Sequence, residues 1–214
     1  MITTRLLPQI INNIFAVIEN NAEEVTLLDQ VIGDGDHVTN LQRGLKALVL
    51  QQEEFIGLSW PNAWQKIGMI MMSSVWGASG SLYATLFMAL SKASSETDIS
   101  FPGFVKAFSE AVEAVKKRGK SEAGEKTLLD VYIPVSDYLS TVVNDEPDLS
   151  GILVEVSAVA IKGMESTRNM LATKGRASFL EARSIGHIDA GAKTAQLMIC
   201  TIVDVLTKAL ATPA

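Results

Sequence analysis

Apolar residues recur at helical spacing along most of this chain. Leu6, Leu7, Ile10, Ile14, Val17 and Ile18 share one face and predict a first helix to about Asn20. Leu41, Leu45, Leu48 and Val49 predict a second, beginning near Val38. Ser59-Trp60-Pro61 reads as a helix start, with Ser59 or Trp60 near the cap and the proline in the first turn; Ala63, Ile67, Ile70 and Met71 continue it. Residues 75–81 read as a small-residue loop, followed by a helix through Leu82, Leu86 and Leu90. Phe101-Pro102 opens a helix carried by Phe104, Val105, Phe108, Val112 and Val115, and Lys116-Lys117-Arg118-Gly119 reads as its stop. A loop over 120–127 leads to a helix over 128–143, and a polar turn over 144–150 follows. Residues 151–170 open with Ile152, Leu153, Val154 and Val156, which suits a strand, but no turn follows and a long helix fits better. Residues 174–190 read as irregular, and a last helix covers 192–210.

About eight helices, short connections and no convincing strand pair make the class all-α, an antiparallel bundle. No repeat or low-complexity linker divides the chain, so residues 1–214 read as one domain. Hydrophobic content of 48% and a mean hydropathy of +0.24 imply a large buried share. Met69, Met71 and Met72 read as core filler. Residues 67–91 carry no charge and are long enough to span a bilayer, but Ser73, Ser74, Gly77, Ser79, Gly80 and Ser81 sit mid-segment, which favours two buried helices over a membrane span. The N-terminus lacks a signal-peptide pattern, since Pro8, Gln9, Asn12 and Asn13 break its apolar run. The net charge of −6, without a Lys/Arg stripe, argues against nucleic acid. The single Cys200 excludes an internal disulfide framework and reads as a small buried hydrophobe. A cytoplasmic protein without membrane attachment is expected.

The stretch Leu28-Asp29-Gln30-Val31-Ile32-Gly33-Asp34-Gly35-Asp36-His37 carries the chemistry. Three carboxylates fall within eight residues, flanked by apolar Leu28, Val31 and Ile32, which predict a turn lying against the core. Carboxylates ~4 Å apart repel by roughly 4 kcal/mol per pair at an effective dielectric of ~20, so three held together call for a cation. Oxygen-only ligands select a hard ion, Mg²⁺, Ca²⁺ or Mn²⁺. The glycines let the chain turn so that Asp29, Asp34 and Asp36 converge. An EF-hand counted from Asp34 fails, because Val38, Thr39 and Leu45 stand where a ligand, a glycine and a glutamate are needed. Mg²⁺ held by few carboxylates plus substrate phosphates fits better, and the helix starting just after Asp36 offers its N-terminus to phosphate. The bland alternative is a solvated acidic turn with helix-capping aspartates.

Two segments imitate a P-loop: Gly119 through Gly124-Glu125-Lys126-Thr127, and Gly186 through Gly191-Ala192-Lys193-Thr194. In each, one residue separates the second glycine from lysine, and the strand a P-loop requires is missing. Both remain glycine-rich loops with cations that can touch phosphate.

Taken together, five motifs resemble the nucleotide-binding L subunit of dihydroxyacetone kinases. They are Asp29-x-x-Ile32-Gly33-Asp34-Gly35-Asp36-His37-x-x-Asn40-x-x-Arg43-Gly44, Gly77-Ala78-Ser79-Gly80, Arg118-Gly119-Lys120 through Gly124-x-Lys126-Thr127, Lys174-Gly175-Arg176-Ala177-Ser178, and Ser184-Ile185-Gly186-His187-x-Asp189-x-Gly191-Ala192. The resemblance implies a barrel of eight antiparallel helices with the nucleotide at one end. It implies two Mg²⁺ ions on Asp29, Asp34 and Asp36 that bridge nucleotide phosphates. By the same resemblance His37 and Asn40 lie by the nucleotide, Ala78 and Ser79 meet its phosphates, and Gly119, Thr127 and Leu128 line its pocket. Arg176 approaches the phosphates, and Asp189, Ala190 and Gly191 complete the rim. His187 reads as a structural hydrogen bond as readily as a direct contact.

A free-standing chain of this length resembles the phosphotransferase-system type. There ADP stays bound as a cofactor, a phosphohistidine-carrying M subunit rephosphorylates it, and dihydroxyacetone sits on a K subunit. That makes the chain a phosphotransferase active only with a partner, a homodimer being open as well. No single catalytic residue follows from the motifs. Three positions depart from the pattern: Val38 and Ala190 replace a glycine and a proline, and Trp76 replaces a glycine before Gly77-Ala78-Ser79. Trp76 either stacks on adenine or crowds the loop. The alternatives are an ATP-dependent subunit acting on another keto-sugar or sugar acid, and a non-catalytic homologue that binds a regulator.

Overall fold

The structure, a computed structural model, describes residues 2–94, 100–143 and 148–211. These form nine α-helices, four short 3-10 turns and no strand. The helices are α1 (Leu7–Asn20), α2 (Ala22–Ile32), α3 (His37–Leu50), α4 (Trp60–Ser74), α5 (Gly77–Ala93), α6 (Phe101–Gly119), α7 (Leu129–Thr141), α8 (Leu149–Ser166) and α9 (Ala190–Ala211). Eight of them, α1 and α3 to α9, are those the periodicity predicts. They form a closed ring in which each packs on the next and α9 returns to α1.

Each ring helix buries the stripe its sequence supplies. On α1 this is Leu7, Ile10, Ile11, Ile14 and Ile18; on α6 it is Val105, Phe108, Ala111, Val112 and Val115. Ser100 and Asp148 cap α6 and α8 by accepting the Gly103 and Gly151 N–H groups, each at 3.2 Å. Glycine sets the closest approaches. A Cβ on Gly44 would overlap Val75 at the α4–α5 junction, and one on Gly163 would overlap the Asp130 carbonyl of α7. That carbonyl is the one Pro134, four residues on, has no N–H to satisfy.

The ninth helix, α2, lies outside the ring and crosses one end of it. Thr4, just before α1, donates to the Leu58 carbonyl at 3.0 Å, so α1 starts at the end where α3 passes to α4. At the opposite end Lys193, near the start of α9, pairs with Glu24 of α2 at 3.0 Å. The acidic stretch is therefore partly helical: Asp29 belongs to the last turns of α2, and only 33–36 form the turn. Ile32 is buried there, but Val31 faces solvent, contrary to the expected burial of all three flanking residues. A small satellite cluster of Ile32, Ala172 and Ala177, with Leu180 against it, holds the 3-10 segment Arg176–Ser184 to α2.

Other expectations need adjusting. Met71 is core, but Met69 and Met72 are 60% and 63% exposed, because they fall on the outer face of α4. The loop at 75–81 shrinks to Val75 and Trp76, since Gly77 already opens α5. Gly119 stays helical, and the left-handed residue that ends α6 is Lys120 (φ 49°). Cys200 is only partly buried. Of the polar turn at 144–150, residues 144–147 lie outside the described residues. The uncharged segment 67–91 divides between α4 and α5. α9 alone among the described helices is long and apolar enough to cross a membrane, and its Ala195, Met198, Val203 and Val205 pack into the bundle core.

Candidate functional site

At the end crossed by α2, the helices α3, α5, α7 and α9 begin around one cavity of about 570 Å³. That volume suits a mid-sized ligand. Every helix start presents N–H groups without intrahelical partners and the positive end of its dipole, so four of them around one space favour a polyanion.

The acidic turn forms one wall. One carboxylate oxygen from each of Asp29, Asp34 and Asp36 lies within 4.8 Å of the others, Asp29 half-buried and the other two exposed. Backbone geometry builds this cluster. The Gly33 N–H donates to the Asp29 carbonyl at 2.5 Å, and a Cβ there would lie 2.8 Å from that oxygen and overlap the Asp29 carboxylate. Gly35 takes φ +77°, open to glycine at little cost. The His37 N–H, opening α3, donates to Asp29 Oδ2 at 3.0 Å. Three hard oxygen donors at this spacing fit Mg²⁺, Mn²⁺ or Ca²⁺.

The His37 ring points inward to Thr194 of α9, with Nε2 2.9 Å from Oγ1. The Thr194 hydroxyl also reaches the Gly191 carbonyl at 3.1 Å. Burial pulls the His37 pKa below the usual histidine value. Tyr83 stands 3.3 Å from the same hydroxyl, and burial pushes its phenol up to about 12. Asn40, one turn into α3, is buried and accepts from Arg43 at 3.1 Å. The Arg43 guanidinium lies 4.1 Å from the Trp76 ring centroid, a cation–π contact at the cavity mouth.

The remaining predicted residues meet on the other walls. Ala78 and Ser79 open α5; Gly119 ends α6; Thr127 and Leu128 precede α7; Asp189, Ala190 and Gly191 open α9; Arg176 reaches over from the 3-10 segment. Arg176 Nε stands 2.5 Å from Asp34 Oδ2. Asp189 caps α9 by accepting the Ala192 N–H at 2.8 Å. Loss of hydration pushes its carboxyl up to about 7, against the pull of that N–H and of Lys126.

Sequence reasoning left Asp130 and Thr194 without roles and read Lys126 as a loop cation that can touch phosphate, whereas its ammonium is taken by the Thr167 and His187 carbonyls. Asp130 is buried and accepts the Gly124 and Thr127 N–H groups at 2.5 and 2.7 Å, which folds the loop before α7. Its signal was a single charge inside the apolar run 128–133. Lys126 was visible in a rejected P-loop and in the motif Gly124-x-Lys126-Thr127, neither of which pointed to backbone carbonyls as its partners, and nothing in the sequence marked Thr194 as the meeting point of two rings.

The DAK2 domain profile matches residues 31–208. The chain is 40% identical over 181 residues to the "PEP-dependent dihydroxyacetone kinase 1, ADP-binding subunit DhaL" of Listeria innocua, covering 85% of this chain and 86% of that one. It is 37% identical over 195 residues to the "PTS-dependent dihydroxyacetone kinase, ADP-binding subunit DhaL" of Lactococcus lactis, covering 88% and 91%. The fold matches the crystal structure of the dihydroxyacetone kinase of C. freundii in its native form, with a TM-score of 0.72 at 17% identity. It also matches that kinase in complex with AMP-PNP and Mg²⁺, with a TM-score of 0.69 at 17% identity. Each likeness spans 96% of this chain but only 34% of the solved one, about a third of its length. Matched along most of its length by the family profile and by free-standing relatives of its own size, the chain belongs to the DAK2-domain family, among the DhaL subunits of dihydroxyacetone kinases.

Proposed function

We propose that this chain is the ADP–Mg²⁺ subunit of a cytoplasmic dihydroxyacetone kinase of the phosphotransferase type. One observation carries the reading: a trio of carboxylates faces the same cavity as four helix N-termini. The carboxylates suit hard cations and the helix starts suit phosphates, and a metal–polyphosphate satisfies both. The relatives named as ADP-binding subunits support ADP as that ligand.

In this reading Asp29, Asp34 and Asp36 hold two Mg²⁺ ions. Ala78, Ser79 and the start of α9 face the phosphates, and Arg176 adds a cation to them. Gly119, Thr127 and Leu128 form the nucleotide wall, with His37 and Asn40 beside the nucleotide. Once phosphorylated to the triphosphate, a bound Mg²⁺–nucleotide would supply its terminal phosphoryl group, charge-neutralised for transfer, and be left as ADP. The chain's own residues position it and exclude water, and no side-chain nucleophile is needed. The acceptor hydroxyl belongs to dihydroxyacetone on a K subunit, and a phosphohistidine M subunit restores the nucleotide. Trp76, lining the cavity where the family pattern has a glycine, keeps one rival open, an ATP-dependent subunit with another sugar.

Native mass spectrometry of the purified protein with Mg²⁺ tests this. Retained ADP with two Mg²⁺ supports the relay. ATP uptake on mixing supports the rival, and no nucleotide under any condition refutes both. Asp34→Asn should abolish metal-dependent nucleotide binding; unchanged binding would remove the metal assignment.

A further inference from the structure

A lysine inside a helical bundle needs a reason. Lys126 is 1% exposed, and loss of hydration lowers its pKa from the usual lysine value. Its backbone is left-handed at φ 62°, a conformation that persists in a residue with a Cβ only where the surroundings enforce it. Its ammonium donates to two main-chain carbonyls on different segments. One is Thr167 O at 2.5 Å, in the turn that ends α8; the other is His187 O, two residues before Asp189. The Thr167 carbonyl, which also accepts the Met170 N–H at 3.2 Å, lies in the 3-10 turn just past α8, near the negative end of that helix, where a cation is favoured.

The neighbours of Lys126 extend the same linkage. Asp130 folds the loop that carries the lysine. Glu125 accepts the Thr173 hydroxyl at 2.9 Å and pairs with Lys174 at 3.4 Å. Across the joint, the Asp189 N–H donates to Thr167 Oγ1 at 3.1 Å, and the Gly186 N–H to Arg168 O at 2.7 Å. One side of this joint carries Thr127 and Leu128; the other carries Asp189 and Gly191. These are adjoining walls of one cavity, a Cβ on Gly191 falling 3.7 Å from Leu128, and they come from segments roughly as far apart in the chain as Lys126 and His187, 61 residues.

We infer that Lys126 is a positioning residue for nucleotide binding, clamping the loop before α7 to the start of α9 so that the two walls of the nucleotide cradle keep one spacing. It lines the cavity, but its ammonium is spent on backbone carbonyls, and it acts through the groups it holds. The inference rests on the nucleotide reading of the cavity, but the clamp itself can be measured without a nucleotide.

Lys126→Met keeps the length and apolar stem and removes the donors. In the folded variant, Mn²⁺ binding by the aspartate trio should stay within twofold of wild type, while ADP affinity in the presence of Mg²⁺ falls at least tenfold. A residue that merely stabilised the bundle would weaken both together, and that result, or unchanged ADP affinity, overturns the inference. The second measurement is amide hydrogen exchange on the unmodified, ligand-free protein. The Gly124 and Thr127 amides should open together with those of Gly186, Asp189 and Ala192, with one common protection. Independent opening of the two groups overturns the clamp even if Lys126→Met does not fold. Wild-type protein that takes up no ADP would count against the nucleotide reading, and the exchange result would then decide the clamp alone.

Discussion

Arg176 and Asp34 form an ion pair across the cavity mouth, Nε to Oδ2 at 2.5 Å, so a predicted phosphate ligand occupies a predicted metal ligand. The arginine side chain is largely exposed, and an exposed pair contributes about 0–1 kcal/mol, which a divalent ion easily displaces. On the proposed function, loading the site would exchange partners: Asp34 would turn to metal and Arg176 become free for phosphate. Arg176→Met should leave Mn²⁺ affinity equal or up to roughly fivefold tighter, since a competitor worth at most ~1 kcal/mol is gone. ADP–Mg²⁺ affinity should fall about tenfold, the loss of one charge-assisted contact. Paired titrations of metal and nucleotide separate the two effects.

Asp189 predicts a pH dependence with a defined sign. Its carboxyl rises from 3.8 in the unfolded chain to about 7 in the fold. Between those values the folded state holds a proton that the unfolded state has lost, so the stability due to this group is full below about pH 4 and declines as pH rises to about 7. Metal-free protein should thus lose several degrees of Tm between pH 5 and 7.5. Asp189→Asn keeps a good helix cap and should flatten that part of the profile. A profile with the same slope in both proteins would show that Asp189 is ionised throughout.

Gly80 sits in the first turn of α5, where a Cβ would come 2.8 Å from the Val75 backbone carbon and overlap its carbonyl oxygen. Relief requires a backbone shift, because no flexible side-chain end is involved. Gly80→Ala should destabilise by about 1–3 kcal/mol, the usual cost of forced overpacking, despite alanine's better helix propensity. Chemical denaturation measures this. ADP affinity should fall as well, since Ala78 and Ser79 move with the turn.

Trp76 offers an optical handle. It is 64% exposed at the cavity mouth, whereas Trp60 and Trp64 stack on each other at 4.9 Å in the packed bundle. Binding of ADP–Mg²⁺ should change intrinsic fluorescence, and Trp76→Phe should remove most of that change while leaving affinity within about threefold, as phenylalanine retains a ring for Arg43. A full signal in the variant would place the nucleotide away from Trp76.

The ring helices could be read from sequence because each buries a stripe repeated every three to four residues, and that stripe is local information. Ile10, Ile14 and Ile18 declare a helix face whatever they pack against. The carboxylate trio was equally local, since mutual repulsion within eight residues signals a cation before any fold is known. The family motifs extended this to the other loops. Met69 and Met72 failed because an apolar side chain on a helix declares its type but not which side its neighbours cover. Asp29 was taken for a loop residue because the run 22–32, although helical, has a weak stripe: it packs across the end of the ring and buries only Val25 and Ile32.

What the sequence determined by itself was the all-α class, the helix faces and the donor chemistry of residues 29–36, all set by interactions between residues close in the chain. The closed ring decided the rest. It gathered four helix starts around one cavity, joined His37 to Thr194 across 157 positions, and set Lys126 between Thr167 and His187. Such contacts depend on where helix ends meet in space, and a backbone carbonyl that accepts a buried lysine leaves no mark on the identity of its own side chain.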